Sequence, residues 1–239
     1  MLYELALITS LRSELSLKNS LLSLRESGFH GRINLFVDNV SKDVNTNCVS
    51  SFDNLEIHIS NSKLGMVENT RLAWDFLYNN TNSPWLIVCE DDILCKSSLF
   101  QILDETLQNI SRHIGYVSCY TPLIYSQMAD YTFSTFGWKK LNMGMHTWGT
   151  QFFTMQRETC SLILSKWRTF YTHEKLQDRI IGEILQDSRL DCFYPYPSLV
   201  NHVGLMNSTH MKAPLIGNTA WLYGLNVHEK VLNNFEVFM

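Results

Sequence analysis

The chain has 239 residues, of which 45% are hydrophobic and 18% charged, and its formal net charge is −4. This length suits one domain or a domain with an appendage, and the composition is typical of a globular protein with a substantial core. The acidic balance excludes a global basic field that would draw the protein onto nucleic acid, and it leaves a local basic patch open.

The N-terminus and the cysteines indicate the compartment. Residues 1–5 lack the basic and apolar regions of a signal peptide, and no apolar run approaches the roughly 18 residues needed to span a membrane. The cysteines are scattered without a Cys-x-x-Cys pair, which is typical of reduced, buried thiols. We therefore expect a cytoplasmic protein without a transmembrane segment, in a microbial or viral (phage) setting.

The first half of the chain alternates predicted strands and helices. Apolar runs predict strands at 3–8, 32–37, 55–59 and from residue 85. Amphipathic patterns predict helices at 11–27, 68–78 and 97–112, with Gly28 ending the first and Ser97 as the N-cap of the third. This alternation predicts the α/β class, with a mostly parallel central sheet flanked by helices.

The second half has a different character. Residues 116–153 are rich in aromatic residues, glycine and methionine and carry few helix signals, whereas 159–170 and 177–185 are predicted helices. Residues 191–204 predict a short strand and a loop. Because no repeat or Pro/Gly-rich linker divides the chain, we predict one domain over residues 1–239, with an irregular second half.

The most informative segment is the acidic triplet, Glu90-Asp91-Asp92, which directly follows the apolar run Trp85-Leu86-Ile87-Val88-Cys89. A continuously apolar run indicates a strand covered on both faces. Adjacent carboxylates repel one another and lose hydration on burial, so a cation explains the cluster well. Oxygen ligands at this place suit Mg²⁺ or Mn²⁺. The alternative is a solvated acidic turn with an aspartate N-cap.

Two sequence elements together carry a family resemblance. The acidic triplet stands where GT-A glycosyltransferases have their Asp-x-Asp motif, and it is similar to the Glu-Asp-Asp variant of the N-acetylglucosaminyltransferases that build complex N-glycans. The later segment Pro197-Ser198-Leu199-Val200-Asn201-His202-Val203-Gly204, followed by Ser208, resembles small bacterial and phage glycosyltransferases. The resemblance implies a Rossmann-like GT-A fold, in which residues 1–112 bind a nucleotide-sugar and residues 113–239 bind the acceptor.

The resemblance also implies a bound Mn²⁺ or Mg²⁺. Asp92, as the last acid of the triplet, would be a direct ligand, and Glu90 and Asp91 would contact the ribose or bind the ion through water. His202 would be the second ligand, because a neutral imidazole is a good donor to Mn²⁺. A hydrogen-bonded structural histidine is the alternative. The ion would neutralise the diphosphate of the nucleotide-sugar.

Inverting GT-A enzymes place an acid downstream of the triplet as general base, and three residues of this chain compete for that role. We rank Asp178 first, Glu183 second and Glu174 third, since Asp178 opens a predicted helix. General-base catalysis contributes about 10²–10⁴-fold to the rate. The alternative for Asp178 is an N-cap that satisfies free backbone N–H groups.

Loops at the ends of the predicted strands correspond to donor-binding loops in the resembling families. Arg12 could pair with phosphate through its planar guanidinium, and Asp38 would contact the base or the ribose. Capping and solvated surface roles are the alternatives for these residues. The aromatic segment 138–151 would shape the acceptor pocket. The predicted donor-binding residues are Thr9, Ser10, Arg12, Asp38, Asn69, Arg71, Glu90, Asp91, Gly149 and Thr150.

The expected function is transfer of a sugar from a nucleotide-sugar, expected to be a UDP-sugar, to a glycan or another hydroxyl acceptor. One alternative acceptor is a hydroxymethylpyrimidine of phage DNA. A nucleotidyltransferase is disfavoured, because residues 9–12 contain no glycine. A non-catalytic nucleotide- or glycan-binding module is the third alternative. The sequence specifies neither the sugar nor the oligomeric state.

Overall fold

The computed structural model describes residues 2–10, 14–38, 49–122, 125, 137–141, 147 and 150–203. The strands are β1 Tyr3–Thr9, β2 Ile33–Val37, β3 Leu55–Ile59, β4 Trp85–Glu90, β5 Ile93–Cys95, β6 Tyr116–Ser118, β7 Gly137–Leu141, β8 Phe152–Gln156, β9 Cys192–Tyr196 and β10 Val200–His202. The helices are α1 Glu14–Glu26, α2 Met66–Asn80, α3 Leu99–Gln108, α4 Arg157–Phe170 and α5 Gln177–Asp187.

The central feature is an eight-stranded sheet in the order β3-β2-β1-β4-β8-β6-β9-β7. Strands β3, β2, β1 and β4 are all parallel, as the alternation of strands and helices predicts. Beyond β4 the sheet is mixed, because β8 runs antiparallel to both β4 and β6, while β6 and β9 are parallel. The α/β class is therefore confirmed, and the parallel pairing is concentrated in the first half of the chain.

Helices cover both faces of the sheet, as alternating side chains of β1 illustrate. Leu5 and Leu7 point into a core beneath α1 and α3, whereas Ala6 and Ile8 point into a second core beneath α2, α4 and α5. Full burial of a large apolar side chain contributes about 1.5–3 kcal/mol relative to exposure. This two-sided burial explains why the strands near the centre read as continuous apolar runs.

Sequence and structure agree closely in the first half. The observed strand β3 has the same bounds as the strand predicted at 55–59. Helix α1 ends before Gly28, whose φ of 101° is in the region that favours glycine. The predicted third helix is longer than the observed α3. Its N-cap is Ser98 rather than Ser97, and Ser98 makes no side-chain capping hydrogen bond.

Among the described residues, β6, β7 and the start of β8 lie in the segment 116–153, which the sequence indicated only as irregular. β8 pairs with β4 and β6 in the middle of the sheet, and Phe152 and Phe153 enter the opposite cores. A short strand that is apolar on both faces shows no alternation, so local sequence does not distinguish it from other buried segments.

A separate two-stranded sheet joins distant parts of the chain. β5 pairs antiparallel with β10, so that Ile93 is opposite His202 and Cys95 is opposite Val200. The pairing continues into the acidic bend, where the Val203 N–H donates to the Asp92 carbonyl at 2.8 Å. Among the helices of the described ranges, none has the length and apolar character to cross a membrane.

Candidate metal centre

The acidic triplet lies at the carboxyl end of β4 and is buried. Glu90 is the last residue of β4, and Asp91 and Asp92 form the bend between β4 and β5. Their exposed fractions are 8%, 3% and 4%. This burial does not fit a solvated acidic turn, because three carboxylates lose much of their hydration there.

Glu90, Asp92 and His202 form one buried cluster whose potential ligand atoms all lie within 4.8 Å of one another. The His202 Nε2 atom lies 3.1 Å from the Asp92 Oδ2 atom. Neighbouring ligands of an octahedral ion with metal–ligand distances of about 2.1 Å are separated by about 3 Å. Two carboxylates and an imidazole at these distances could hold a divalent cation. The two predicted ligands, Asp92 and His202, are therefore brought together, with Glu90 beside them.

Asp91 occupies a different place from the other two acids. Its carboxylate accepts a hydrogen bond from the Thr9 hydroxyl at the end of β1, so it is directed toward the neighbouring strand. Ser10, the next residue after Thr9, is partly exposed at the same edge of the sheet. Arg12 and Gly149, which the sequence also predicts to contact the donor, lie outside the described residues, as do Gly204 and Ser208.

A short chain of hydrogen bonds connects the cluster to α5. Thr150 Oγ1 donates to Glu90 Oε1 at 2.8 Å, and Gln177 Nε2 donates to Thr150 Oγ1 at 2.8 Å. Gln177 is the first residue of α5 and is buried. Sequence reasoning missed Gln177, although its position directly before Asp178 at a predicted helix start was a usable signal. These contacts place the start of α5 beside the acidic cluster.

The candidate bases differ in their surroundings. Asp178 is partly exposed in the first turn of α5, where its Oδ1 accepts the Arg179 N–H at 2.7 Å. Glu183 binds Lys175 Nζ at 2.5 Å and Arg179 Nε at 3.1 Å. The hydrogen bond from Lys175 is the main cause that lowers the pKa of Glu183. A carboxylate held in this way is a weaker base than one without such partners. Glu174 is exposed before α5, and the choice of base among the three acids stays a prediction.

Asp38 fastens the end of β2 to the start of α2. Its two carboxylate oxygens accept the backbone N–H groups of Leu64 at 2.7 Å and Gly65 at 2.9 Å. Asn69 Nδ2 donates to the Phe36 carbonyl at 3.2 Å and strengthens the same junction. These bonds hold the loop before α2 at the carboxyl edge of the sheet. Contact of Asp38 and Asn69 with a nucleotide stays a prediction.

Arg71 lies two residues after Asn69 in α2 and is held by an acid of the same helix. Its Nε donates to Glu68 Oε2 at 2.8 Å, and Arg168 of α4 approaches the other oxygen of Glu68 at 3.5 Å. The Arg71 side chain is 22% exposed. Its predicted contact with the diphosphate likewise stays a prediction.

The segment from Ser198 to Val200, in the late motif, holds the strand that carries His202 in place. Ser198 Oγ accepts the Thr121 N–H at 2.9 Å and donates to the Val200 carbonyl at 2.7 Å. The N–H groups of Leu199 and Val200 both reach the Cys119 carbonyl. The serine and the residues that follow it therefore fix β10 against the chain after β6, which explains their spacing from His202.

Tyr120 is a further buried neighbour of the cluster that sequence reasoning missed. Its ring lies edge-on to the His202 ring, with the two centroids 6.3 Å apart. Burial is the main cause that raises the pKa of the Tyr120 hydroxyl, and the negative charges of Glu90 and Asp92 raise it further. The tyrosine therefore stays protonated and forms one wall of the centre.

Comparison with known proteins defines the fold. No protein-family model matches the chain, and no curated protein matches it. The crystal structure of S. aureus TarS 1-349 matches with a TM-score of 0.57 and 11% identity, over 82% of this chain and 60% of that one. Its complex with UDP-GlcNAc matches with a TM-score of 0.57 and 11% identity, over 81% of this chain and 58% of that one. Its complex with UDP matches with a TM-score of 0.55 and 11% identity, over 81% of this chain and 60% of that one.

These matches show that the chain has the GT-A-type α/β fold of glycosyltransferases. At 11% identity the similarity concerns the fold alone. The chain spans about 60% of the length of TarS 1-349.

Proposed function

We propose that this protein is a metal-dependent glycosyltransferase that uses a nucleotide-sugar donor. The observation that carries the proposal is the buried cluster of Glu90, Asp92 and His202 at the carboxyl end of β4. Ligands of open α/β sheets bind beyond the carboxyl ends of the strands. The structures of TarS with UDP and UDP-GlcNAc support a UDP-sugar as the donor.

The cation that we propose is Mn²⁺, with Mg²⁺ as the alternative. Glu90, Asp92 and His202 would hold it, and the imidazole favours Mn²⁺ over the harder Mg²⁺. When bound, the cation would supply positive charge that neutralises the donor diphosphate and stabilises the leaving group. Two residues would hold the Glu90 carboxylate without binding the ion. Thr150 donates a hydrogen bond to Glu90, and Gln177 donates one to Thr150.

Asp178 is the proposed general base. It would take the proton from the acceptor hydroxyl as that oxygen attacks the anomeric carbon and the bond to the nucleoside diphosphate breaks. Attack from the side opposite the leaving group inverts the configuration of the sugar. The position of Asp178 directly after Gln177, which reaches Glu90 through Thr150, supports this assignment.

The acceptor that we propose is a hydroxyl group of a glycan. A modified base in DNA would first have to leave its stack, which costs a few kcal/mol. Binding to DNA also depends on contacts between cationic side chains and phosphates, and the formal net charge of −4 does not favour them.

A donor screen tests the proposal. Thermal unfolding and hydrolysis are measured with a panel of nucleotide-sugars, with and without Mn²⁺. A ligand at 100 times its Kd stabilises the native state by about 2.7 kcal/mol, so binding of one donor is visible as a shift. We expect a Mn²⁺-dependent shift with one nucleotide-sugar and its loss in Asp92→Asn.

The matched control is Asp187→Asn, which removes an exposed acid at the far end of α5. This variant is expected to behave as the wild type. Full transfer activity of Asp92→Ala at saturating Mn²⁺ would contradict the metal-dependent mechanism. Absence of a shift with every donor would instead favour a binding module for another ligand.

A further inference from the structure

Three serines of α1 face the acidic bend and the strand that follows it. Ser16, Ser20 and Ser23 are spaced by four and three residues, which places them on one face of the helix. Each of their hydroxyls bonds to the backbone between residues 91 and 95. We call this set the serine face of α1.

Ser20 makes the densest set of contacts. Its Oγ accepts the Ile93 N–H at 3.0 Å, and it lies 2.8 Å from the Asp91 carbonyl and 2.9 Å from the Ile93 carbonyl, to which its proton can be donated. Ser16 Oγ adds a weaker bond of 3.2 Å to the Asp91 carbonyl. Ser20 is fully buried. One hydroxyl therefore holds the backbone on both sides of Asp92.

On the edge of β5 that faces away from β10, the serine face of α1 takes the place that a neighbouring strand would have. One edge of β5 pairs with β10, and the Ile93 N–H and carbonyl on its other edge turn toward α1. Buried backbone groups need partners, and here Ser20 supplies them. On the β10 side, the backbone carbonyl of Asp92 accepts the Val203 N–H at 2.8 Å. The bend that carries Asp92 is thus held between α1 and β10.

We propose that Ser20 is a positioning residue for the metal ligands. By fixing the peptide groups before and after Asp92, it sets the direction of the Asp92 carboxylate toward His202 and Glu90. Groups that orient metal ligands from outside typically change metal affinity by about 10- to 100-fold when they are removed. This inference rests on the proposed metal-dependent function, and it adds a residue that touches neither the ion nor the substrate.

The test compares Ser20→Ala with Ser23→Ala. Ser23 is a matched control because its Oγ accepts the Cys95 N–H at 2.5 Å, a bond of the same kind from the same helix to the same strand, away from the acids. Mn²⁺ affinity is measured by EPR titration, with Mn²⁺ alone and again with UDP present. Thermal unfolding of each variant is recorded in parallel.

We expect both variants to lower the unfolding temperature, and only Ser20→Ala to weaken Mn²⁺ binding, by about 10- to 100-fold. Ser20→Cys keeps the shape of the side chain with a larger atom that is a weaker donor and acceptor, and it decides the question if Ser20→Ala does not fold. Wild-type affinity in the folded Ser20 variant, or an equal loss in Ser23→Ala, would overturn the positioning role. A wild-type protein that binds no Mn²⁺ in either titration would instead overturn the proposed metal site itself.

Discussion

His202 Nε2 lies 3.1 Å from Asp92 Oδ2, although the two residues come from distant parts of the chain. The pairing of β5 with β10 produces this contact, because it places His202 opposite Ile93, the residue after Asp92. The contact therefore depends on the register of three-residue strands. A shift of one residue in that register would turn the imidazole to the other face of the small sheet.

Replacement of the two leading base candidates should have different effects. Asp178→Asn is expected to lower kcat by about 10²–10⁴-fold with little change in the KM for the donor, because it removes only the proton acceptor. Glu183→Gln is expected to retain kcat within a few-fold, since Lys175 and Arg179 already engage that carboxylate. Steady-state kinetics at saturating Mn²⁺ measures both. A large loss in Glu183→Gln beside an active Asp178→Asn would reverse the ranking.

The ion pairs of Glu183 predict a specific pH dependence of stability. Because the folded pKa of Glu183 is lowered, chiefly by Lys175, its contribution is present above the unfolded pKa of about 4.3 and is lost as pH falls through the folded value. We expect Glu183→Gln to be less stable than the wild type at pH 7. The difference should shrink as the pH falls below about 4. Urea denaturation over this range measures it, and a difference that does not vary with pH would refute the linkage.

Gly182 packs α5 against Thr147. A Cβ atom at Gly182 would lie 2.3 Å from Thr147 Oγ1 and 2.9 Å from Thr147 Cβ. Gly182→Ala should therefore displace residue 147 and weaken the link from Gln177 to Glu90, at a cost of about 1–3 kcal/mol in the free energy of unfolding. Chemical denaturation and Mn²⁺ affinity are the two measurements.

A second substitution provides the control for this steric argument. Thr147→Gly removes both crowding atoms, and the nearest remaining atom of residue 147 to the new Cβ is its backbone N at 3.7 Å. The double variant Thr147→Gly/Gly182→Ala should therefore recover part of the stability that Gly182→Ala loses. Purely additive losses would show that the clash is not the cause.

Asp38→Asn tests the junction between β2 and α2. In the wild type, the two carboxylate oxygens of Asp38 accept the N–H groups of Leu64 and Gly65. The amide that replaces the carboxylate has only one oxygen, so its NH₂ group would face one of these two N–H donors. We expect a loss of about 1–3 kcal/mol in the free energy of unfolding and a higher KM for the nucleotide-sugar. Asp75→Asn in α2 is the control, because its carboxylate accepts a bond from the exposed Asn79 side chain. Equal effects of the two variants would exclude a special role for Asp38.

The parts of the fold that local sequence determines were predictable. The strand at 55–59, the apolar run before the acidic triplet and the glycine after α1 each follow from periodicity or backbone preference. That Asp92 and His202 lie together as metal ligands was predicted from two short motifs and the family resemblance that they carry. The geometry of the structure agrees with this association and adds Glu90 to the same cluster.

The parts that depend on tertiary pairing were not predictable. β5 and β10 have three residues each, too few for a periodic pattern, and their identity as strands depends on each other. Ser20 looked like an ordinary polar residue of an amphipathic helix, because nothing near it in sequence shows that its hydroxyl replaces a strand partner. Gln177 was likewise hidden, since its contact with Thr150 forms only when α5 packs on the sheet.

The insertion of β8 between β4 and β6 has a consequence for folding. In a nascent chain that has been synthesised only as far as α3, β4 is an open edge of the sheet. Its antiparallel partner, β8, comes much later in the sequence. Open edges of this kind pair readily with other chains. We therefore expect a fragment that ends after α3 to aggregate, and the intact chain to collapse around β4 only after its second half has been synthesised.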